Sequence, residues 1–160
     1  MRILVTALAC TALAFPGPAA AKRRADPEQE AILAQIDRFF AAMKRQDTAG
    51  LEKLIYADGV MTIVRIAPDG SERHVRRPVT AWLESIKASP DLDERIWTPK
   101  VMRRGPIAVV WAPYDIKQGG KRLHCGVDVF DMVKVDGVWR VASLMFTAEP
   151  AACAELKAPD

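Results

Sequence analysis

Within 123-LHCGVDVF-130 stand three side chains able to do chemistry, His124, Cys125 and Asp128, and Asp115 lies shortly upstream. An imidazole beside a carboxylate keeps one tautomer and gains basicity. A carboxyl group walled in by apolar side chains has a raised pKa and can give or take a proton near neutrality. Neighbours on a strand point to opposite faces, so His124 and Cys125 cannot form a nucleophile–base pair there. Four residues apart on a strand, His124 and Asp128 stand roughly 13 Å apart. The partner of His124 must therefore come from another strand. The chain has two histidines, His74 and His124. It shows no HxH, HExxH or CxxC spacing and no GxSxG elbow, and 117-KQGGK-121 reads as a hairpin tip rather than a phosphate cradle. No metal and no cofactor are expected.

The elements that must position these groups follow from periodicity. Asp26-Pro27, with Gln29 after it, opens a helix carrying Ile32, Leu33, Ile36, Phe39, Phe40 and Met43 on one stripe. Asp47 caps a second short helix with Leu51, Leu54 and Ile55. A strand over 60–66, a turn at 68–71 and a short strand around His74-Val75 come next. Pro78 then begins a helix with Trp82, Leu83 and Ile86 on one face. From residue 92 the pattern is β: 95–103 interrupted by Pro99, then 107–116, 121–135 and 138–148. The class is α+β, with N-terminal helices over a strongly curved antiparallel sheet enclosing a pocket.

Gly119-Gly120 and Asp136-Gly137 are two-residue hairpin signals and fix a register. Regular pairing sets Asp115 opposite His124, Trp111 opposite Asp128, Asp128 opposite Met145 and Phe130 opposite Ser143. One face then carries Trp111, Asp115, His124, Gly126, Asp128, Phe130, Ser143 and Met145, with a gap at Gly126, which is the composition of a small-molecule pocket. The other face carries Val110, Ala112, Tyr114, Cys125, Val127, Val129, Ala142, Leu144 and Phe146. Being apolar, it needs a cover, and a homodimer through this outer sheet face is expected.

The chain has 160 residues and a formal charge of +3, a balance that selects no partner class. Residues 1–21 read as a secretory signal: Met1-Arg2, an apolar run from Ile3 to Phe15 and a small-residue cleavage site at Ala19-Ala20-Ala21. Cys10 within that run admits a second reading as a lipidated cysteine. Residues 22–160 then form a single domain, periplasmic or secreted, with no membrane attachment after cleavage. Cys125 and Cys153 remain as a pair in an oxidising compartment and are expected to form a disulfide. The basic stretches 22-KRR-24 and 73-RHVRR-77 could take an anionic ligand. A terminus and a solvated edge strand are the favoured reading, and export argues against nucleic acid.

The stretches 36-IDRFFAAMKRQDTAGLEKLIYADGVMTIV-64, 111-WAPYDI-116, 124-HCGVDVFDMV-133 and 138-VWRVASLMFT-147 resemble the SnoaL-like and putative lumazine-binding branch of the nuclear transport factor 2-like superfamily. That resemblance implies a cone of helices closed over a bent sheet, a ligand cavity between them and dimerisation through the sheet. It carries over no catalytic motif. The residues favour binding of a small apolar or aromatic molecule oriented by His124, Asp115 and Asp128. The alternative is a cofactor-free isomerase, dehydratase, cyclase or hydrolase in which Asp128 moves a proton and His124, oriented by Asp115, polarises a carbonyl. A third reading is a dimeric interaction module with a filled core.

Overall fold

In the computed structural model, which describes residues 26–158, Asp26 caps helix α1 (Pro27–Lys44) by accepting from the Glu28 amide at 3.0 Å. The stripe read from the sequence is buried: Ile32, Ile36, Phe39, Phe40 and Met43 all face inward. Helix α2 (Thr48–Leu54) starts at Asp47, whose carboxylate accepts from the Gly50 amide at 2.8 Å. Helix α3 (Val79–Lys87) follows Pro78 and buries Trp82, Leu83 and Ile86. Among the described residues no helix is long and apolar enough to cross a membrane.

Seven strands form one sheet: β1 (Ile55–Ile66), β2 (Glu72–Pro78), β3 (Leu92–Ile96), β4 (Lys100–Arg104), β5 (Ile107–Gln118), β6 (Lys121–Val135) and β7 (Val138–Ala148). Their order is β2-β1-β7-β6-β5-β3, with β4 also on β5. The sheet is mixed, because β1 and β7 run parallel while every other pair is antiparallel. This corrects the all-antiparallel expectation; the long path from β1 to β7, which includes helix α3 between β2 and β3, allows a parallel join that no hairpin could make. The interrupted strand expected over 95–103 is two strands. β3 pairs with the C-terminal half of β5 and β4 with its N-terminal half, and the chain breaks between them at Thr98, which has φ 44°.

Helices α1 and α3 fill the hollow of this curved sheet. The Phe39 ring stacks on Trp82 at 5.4 Å and meets Phe130 edge-on at 5.8 Å, and Phe40 also meets Phe130 at 5.8 Å. Glu28 pins the start of α1 to the far end of the sheet, accepting from Lys134 Nζ at 2.8 Å and from Trp139 Nε1 at 2.9 Å. The Gln46 amide donates to the carbonyls of Ile86 and Lys87, tying the α1–α2 link to the end of α3. The helical roof is thus fastened at both ends. Cys125 and Cys153 are joined by a disulfide that draws the short 3-10 turn Pro150–Ala154 against β6.

Candidate functional site

The hairpin turns start in the register their two-residue loops dictate, and then one bulge in each ladder changes it. Gln118 faces Lys121 and Lys117 faces Arg122, but Ile116 faces His124, so Leu123 is the extra residue. Likewise Met132 faces Val141 but Asp131 faces Ser143, leaving Ala142 extra. A one-residue slip exchanges the faces of a strand. β5 and the second half of β7 are therefore turned over relative to the regular pairing. Val110, Ala112, Tyr114, Leu144 and Phe146 point into the hollow beside His124, Asp128 and Phe130.

Four expected pocket residues move outside as a result. Trp111 lies on the outer face, 38% exposed, with Lys100 Nζ 5.4 Å from its ring. Met145 is 47% exposed, and Ser143 donates to Asp131 on the outer surface. Asp115 is not the partner of His124. It is buried under Arg95, whose Nε donates at 2.8 Å, and Arg122 at 3.2 Å. Burial opposes its ionisation, but the two guanidiniums outweigh burial and hold its carboxyl below the usual range.

Gly126 is not a gap. A Cβ there would lie 2.0 Å from the Thr147 carbonyl oxygen, so the glycine exists to let β7 cross over β6. That crossing places the Thr147 carbonyl where Tyr114 Oη donates to it at 2.7 Å. Tyr114 Oη also lies 3.0 Å from His124 Nδ1. The hydroxyl has one proton and spends it on the carbonyl, so Nδ1–H of His124 must be the donor to Oη. Nε2 is then the unprotonated nitrogen, free to accept from a ligand. Burial, and next the positive charge of Arg65, push the His124 pKa down to about 4, so the ring is neutral at physiological pH. Burial also raises the Tyr114 pKa, which keeps the hydroxyl a donor. Gly126→Ala should cost about 3 kcal/mol, because backbone rather than a mobile side chain has to yield. Chemical denaturation checks this, and a wild-type midpoint would show that the crossing tolerates a side chain.

The second polar group was missed from the sequence. Leu92, Glu94 and Ile96 alternate along β3, and Glu94 reaches the hollow, where its carboxyl meets that of Asp128. Asp128 is 1% exposed, and among the described residues neither of its oxygens meets an N–H or O–H donor. Two carboxyl groups can bond only by sharing a proton. Burial raises the Asp128 pKa well above the usual range, with the neighbouring Glu94 charge adding to it. Burial pushes Glu94 up to about 7, against the hydrogen bond from Asp128. At neutral pH Asp128 is the protonated donor and Glu94 the acid poised between its two forms. The signal for Glu94 was the inward alternation of a strand starting at Leu92; a strand begun at Arg95 omits it.

Between α1, α3 and the sheet lies a cavity of about 150 Å³ walled by Phe39, Met43, Trp82, Tyr114, Leu144 and Phe146, with Glu94, His124, Arg65 and Arg77 as its charged or titratable groups and Ser85 and Ser89 also on its lining. Phe130 is fully buried beneath it as core. Arg65 and His124 also line an adjoining hollow of about 380 Å³ at the open end of the sheet. No cluster of three or more metal-ligating side chains occurs among the described residues.

A helical roof, a bent sheet and a cavity between them define a recurrent architecture, and the family model described as "Putative lumazine-binding" matches residues 27–147. The chain belongs to this family. Solved structures described as nuclear transport factor 2-like share the fold of this lumazine-binding-family chain. A protein of unknown function with a cystatin-like fold from Nostoc punctiforme is 11% identical, with TM-score 0.62 over 77% of this chain and 92% of that one. A nuclear transport factor 2-like protein with a cystatin-like fold from Novosphingobium aromaticivorans is 15% identical, with TM-score 0.61 over 82% and 89%. A protein from Streptomyces avermitilis, described as a putative dehydratase of the nuclear transport factor 2-like family, is 17% identical, with TM-score 0.59 over 77% and 98%. At these identities the likeness is one of fold. No protein of curated function matches the sequence. Family and fold together support a small-molecule-binding domain.

Proposed function

We propose that this chain binds a small, largely apolar or aromatic molecule in the cavity under α1 and α3, with its polar atoms set against Glu94 and His124. The observation that carries this reading is the pair Glu94–Asp128, in which the buried Asp128 oxygens meet no N–H or O–H donor among the described residues and the neighbouring Glu94 lines the cavity. Buried polar groups without partners are costly unless something else repays them, and a ligand group that bonds to Glu94 would do so. The inner cavity, at about 150 Å³, is below the roughly 300 to 1,000 Å³ typical of drug-sized ligands and suits a single ring. A longer ligand would pass between Arg65 and His124 into the adjoining hollow.

A second reading is favoured by one feature. Glu94 is tuned to about 7 on a cavity that His124 also lines with a neutral acceptor nitrogen. A protonated Glu94 delivering its proton to a carbonyl oxygen, with His124 Nε2 accepting one elsewhere on the same molecule, is the chemistry of a cofactor-free isomerase or dehydratase. Asp128 is then a positioning residue that bonds Glu94 rather than the proton donor itself.

Export and dimerisation belong to the same proposal. The signal segment 1–21, Cys10 included, lies outside the described residues, and the Cys125–Cys153 disulfide is suited to an oxidising compartment. Met102 and Ile107, 66% and 59% exposed, edge an apolar hollow of about 590 Å³ that also takes in Tyr56 and Val109, and Trp111 and Met145 lie exposed on the outer face of the same sheet. A second copy covering that surface is the proposed homodimer. Native mass spectrometry without reductant is the test of the whole reading. A dimer carrying a small mass that leaves on denaturation is expected, and a monomer with no bound mass would contradict it.

A further inference from the structure

Resting on that cavity as the ligand site, we infer that the ligand is an organic anion whose carboxylate sits between Arg65 and Arg77. Both arginines line the inner cavity, on the neighbouring strands β1 and β2. The stretch 73-RHVRR-77 therefore does not end wholly in solvent: Arg77 turns inward from the same face as Met61, its cross-strand partner. Among the described residues neither guanidinium has a carboxylate within ion-pair distance, although Arg95, Arg103 and Arg122 all do.

Two further observations make this more than a basic patch. Arg77 Nε is buried and finds no acceptor among the described residues. Burial, and then the charge of Arg65, both work against its ionised form. Two like charges share a partly desolvated mouth, and among the described residues neither has an ion-pair partner, an arrangement that costs energy until an anion arrives. A guanidinium fork matches a planar carboxylate with two parallel N–H···O bonds. The apolar body of such a ligand would lie toward Phe39, Trp82 and Phe146. Its far end would meet Glu94 on the lining of the same cavity.

Benzoate and benzamide share shape and differ in charge, so titrating each while following the backbone amide signals of Tyr114 and His124 isolates the anion. Benzoate is expected to bind about ten- to a hundredfold more tightly, the range of a charged hydrogen-bonded contact. Arg77→Met, and separately the exposed Arg65→Gln, should abolish that preference by weakening benzoate far more than benzamide, and a native-like spread of backbone amide signals in the unliganded variant shows that each is folded. Equal binding of the two probes to the native protein, or a preference that survives both substitutions, would overturn the carboxylate assignment and leave the cavity reading standing. If neither probe perturbs those amides at millimolar concentration, the cavity reading fails, and the assignment with it.

Discussion

Replacing Glu94 by Gln and Asp128 by Asn together should tilt the stability of the protein toward alkaline pH by at least about 3 kcal/mol relative to the native chain. The sign follows from the direction of each shift. Glu94 rises from 4.5 in the unfolded chain to about 7 in the fold. A raised acid contributes stability that is present below its unfolded value and lost as pH climbs through its folded value, here between about 4.5 and 7. Asp128, raised still further by burial, extends the loss to higher pH. His124 works in the opposite sense, falling from 6.5 to about 4. Its neutral ring contributes stability above 6.5 that is lost as pH falls toward 4.

The histidine offsets about as much as Glu94 loses, and Asp128 adds a further loss, so the stability of the native protein should fall between pH 4 and 7, less steeply than the acids alone would make it. Removing the acid pair uncovers the histidine, and the stability of the variant should then rise across that range. His124→Asn uncovers the acids, and its stability should fall across the same range. Denaturant midpoints measured from pH 4 to 8 in the three proteins distinguish these outcomes. Parallel profiles would show that neither group is perturbed by the cavity.

The second large effect is covalent. Cys125 and Cys153 are 28 residues apart, and closing a loop of that length restricts the unfolded chain by about 3 to 4 kcal/mol. Reduction, or Cys153→Ser, should lower the unfolding free energy by about that amount. The bond also seats the turn 150–154 on β6, where the Glu149 amide donates to the Cys125 carbonyl at 2.8 Å. Because β7 must cross Gly126 just before that turn, loosening the tether should also weaken the Tyr114–Thr147 bond and free the His124 ring. Equilibrium unfolding with and without reductant measures the first effect, and the His124 ring signals report the second. Identical midpoints would mean that packing alone holds the C-terminal segment.

How much of this was legible beforehand depends on what each inference rested on. The helices and hairpins were readable because caps, apolar stripes and Gly-Gly or Asp-Gly turns are local signals, and they set the cone without any knowledge of pairing. The disulfide pair was readable by counting cysteines. The inward face of β6 was readable too, since His124, Asp128 and Phe130 alternate on an unbroken strand. The neighbouring strands were not, because a bulge adds one residue with no distinctive sequence mark. Leu123 and Ala142 look like ordinary strand residues, yet they exchange Asp115 for Tyr114 and Met145 for Phe146 at the cavity wall.

Glu94 escaped for a different reason. It sits on a five-residue strand whose partner is the far half of β5, a non-local pairing that no turn announces. Gly126 was read as space because a missing side chain resembles a hole, whereas here another stretch of backbone fills it. Polar residues at a buried site are easy to find in a sequence; which of them touch is set by register.

The claim that the cavity holds a proton ready for a ligand is tested most directly by a carboxyl ¹³C NMR titration of the native protein with Glu94 and Asp128 assigned. Glu94 should titrate near neutral pH while Asp128 remains protonated through that range. Two carboxyls both ionising near pH 4, the ordinary range, would show an open, hydrated wall and would remove the basis for placing the ligand there.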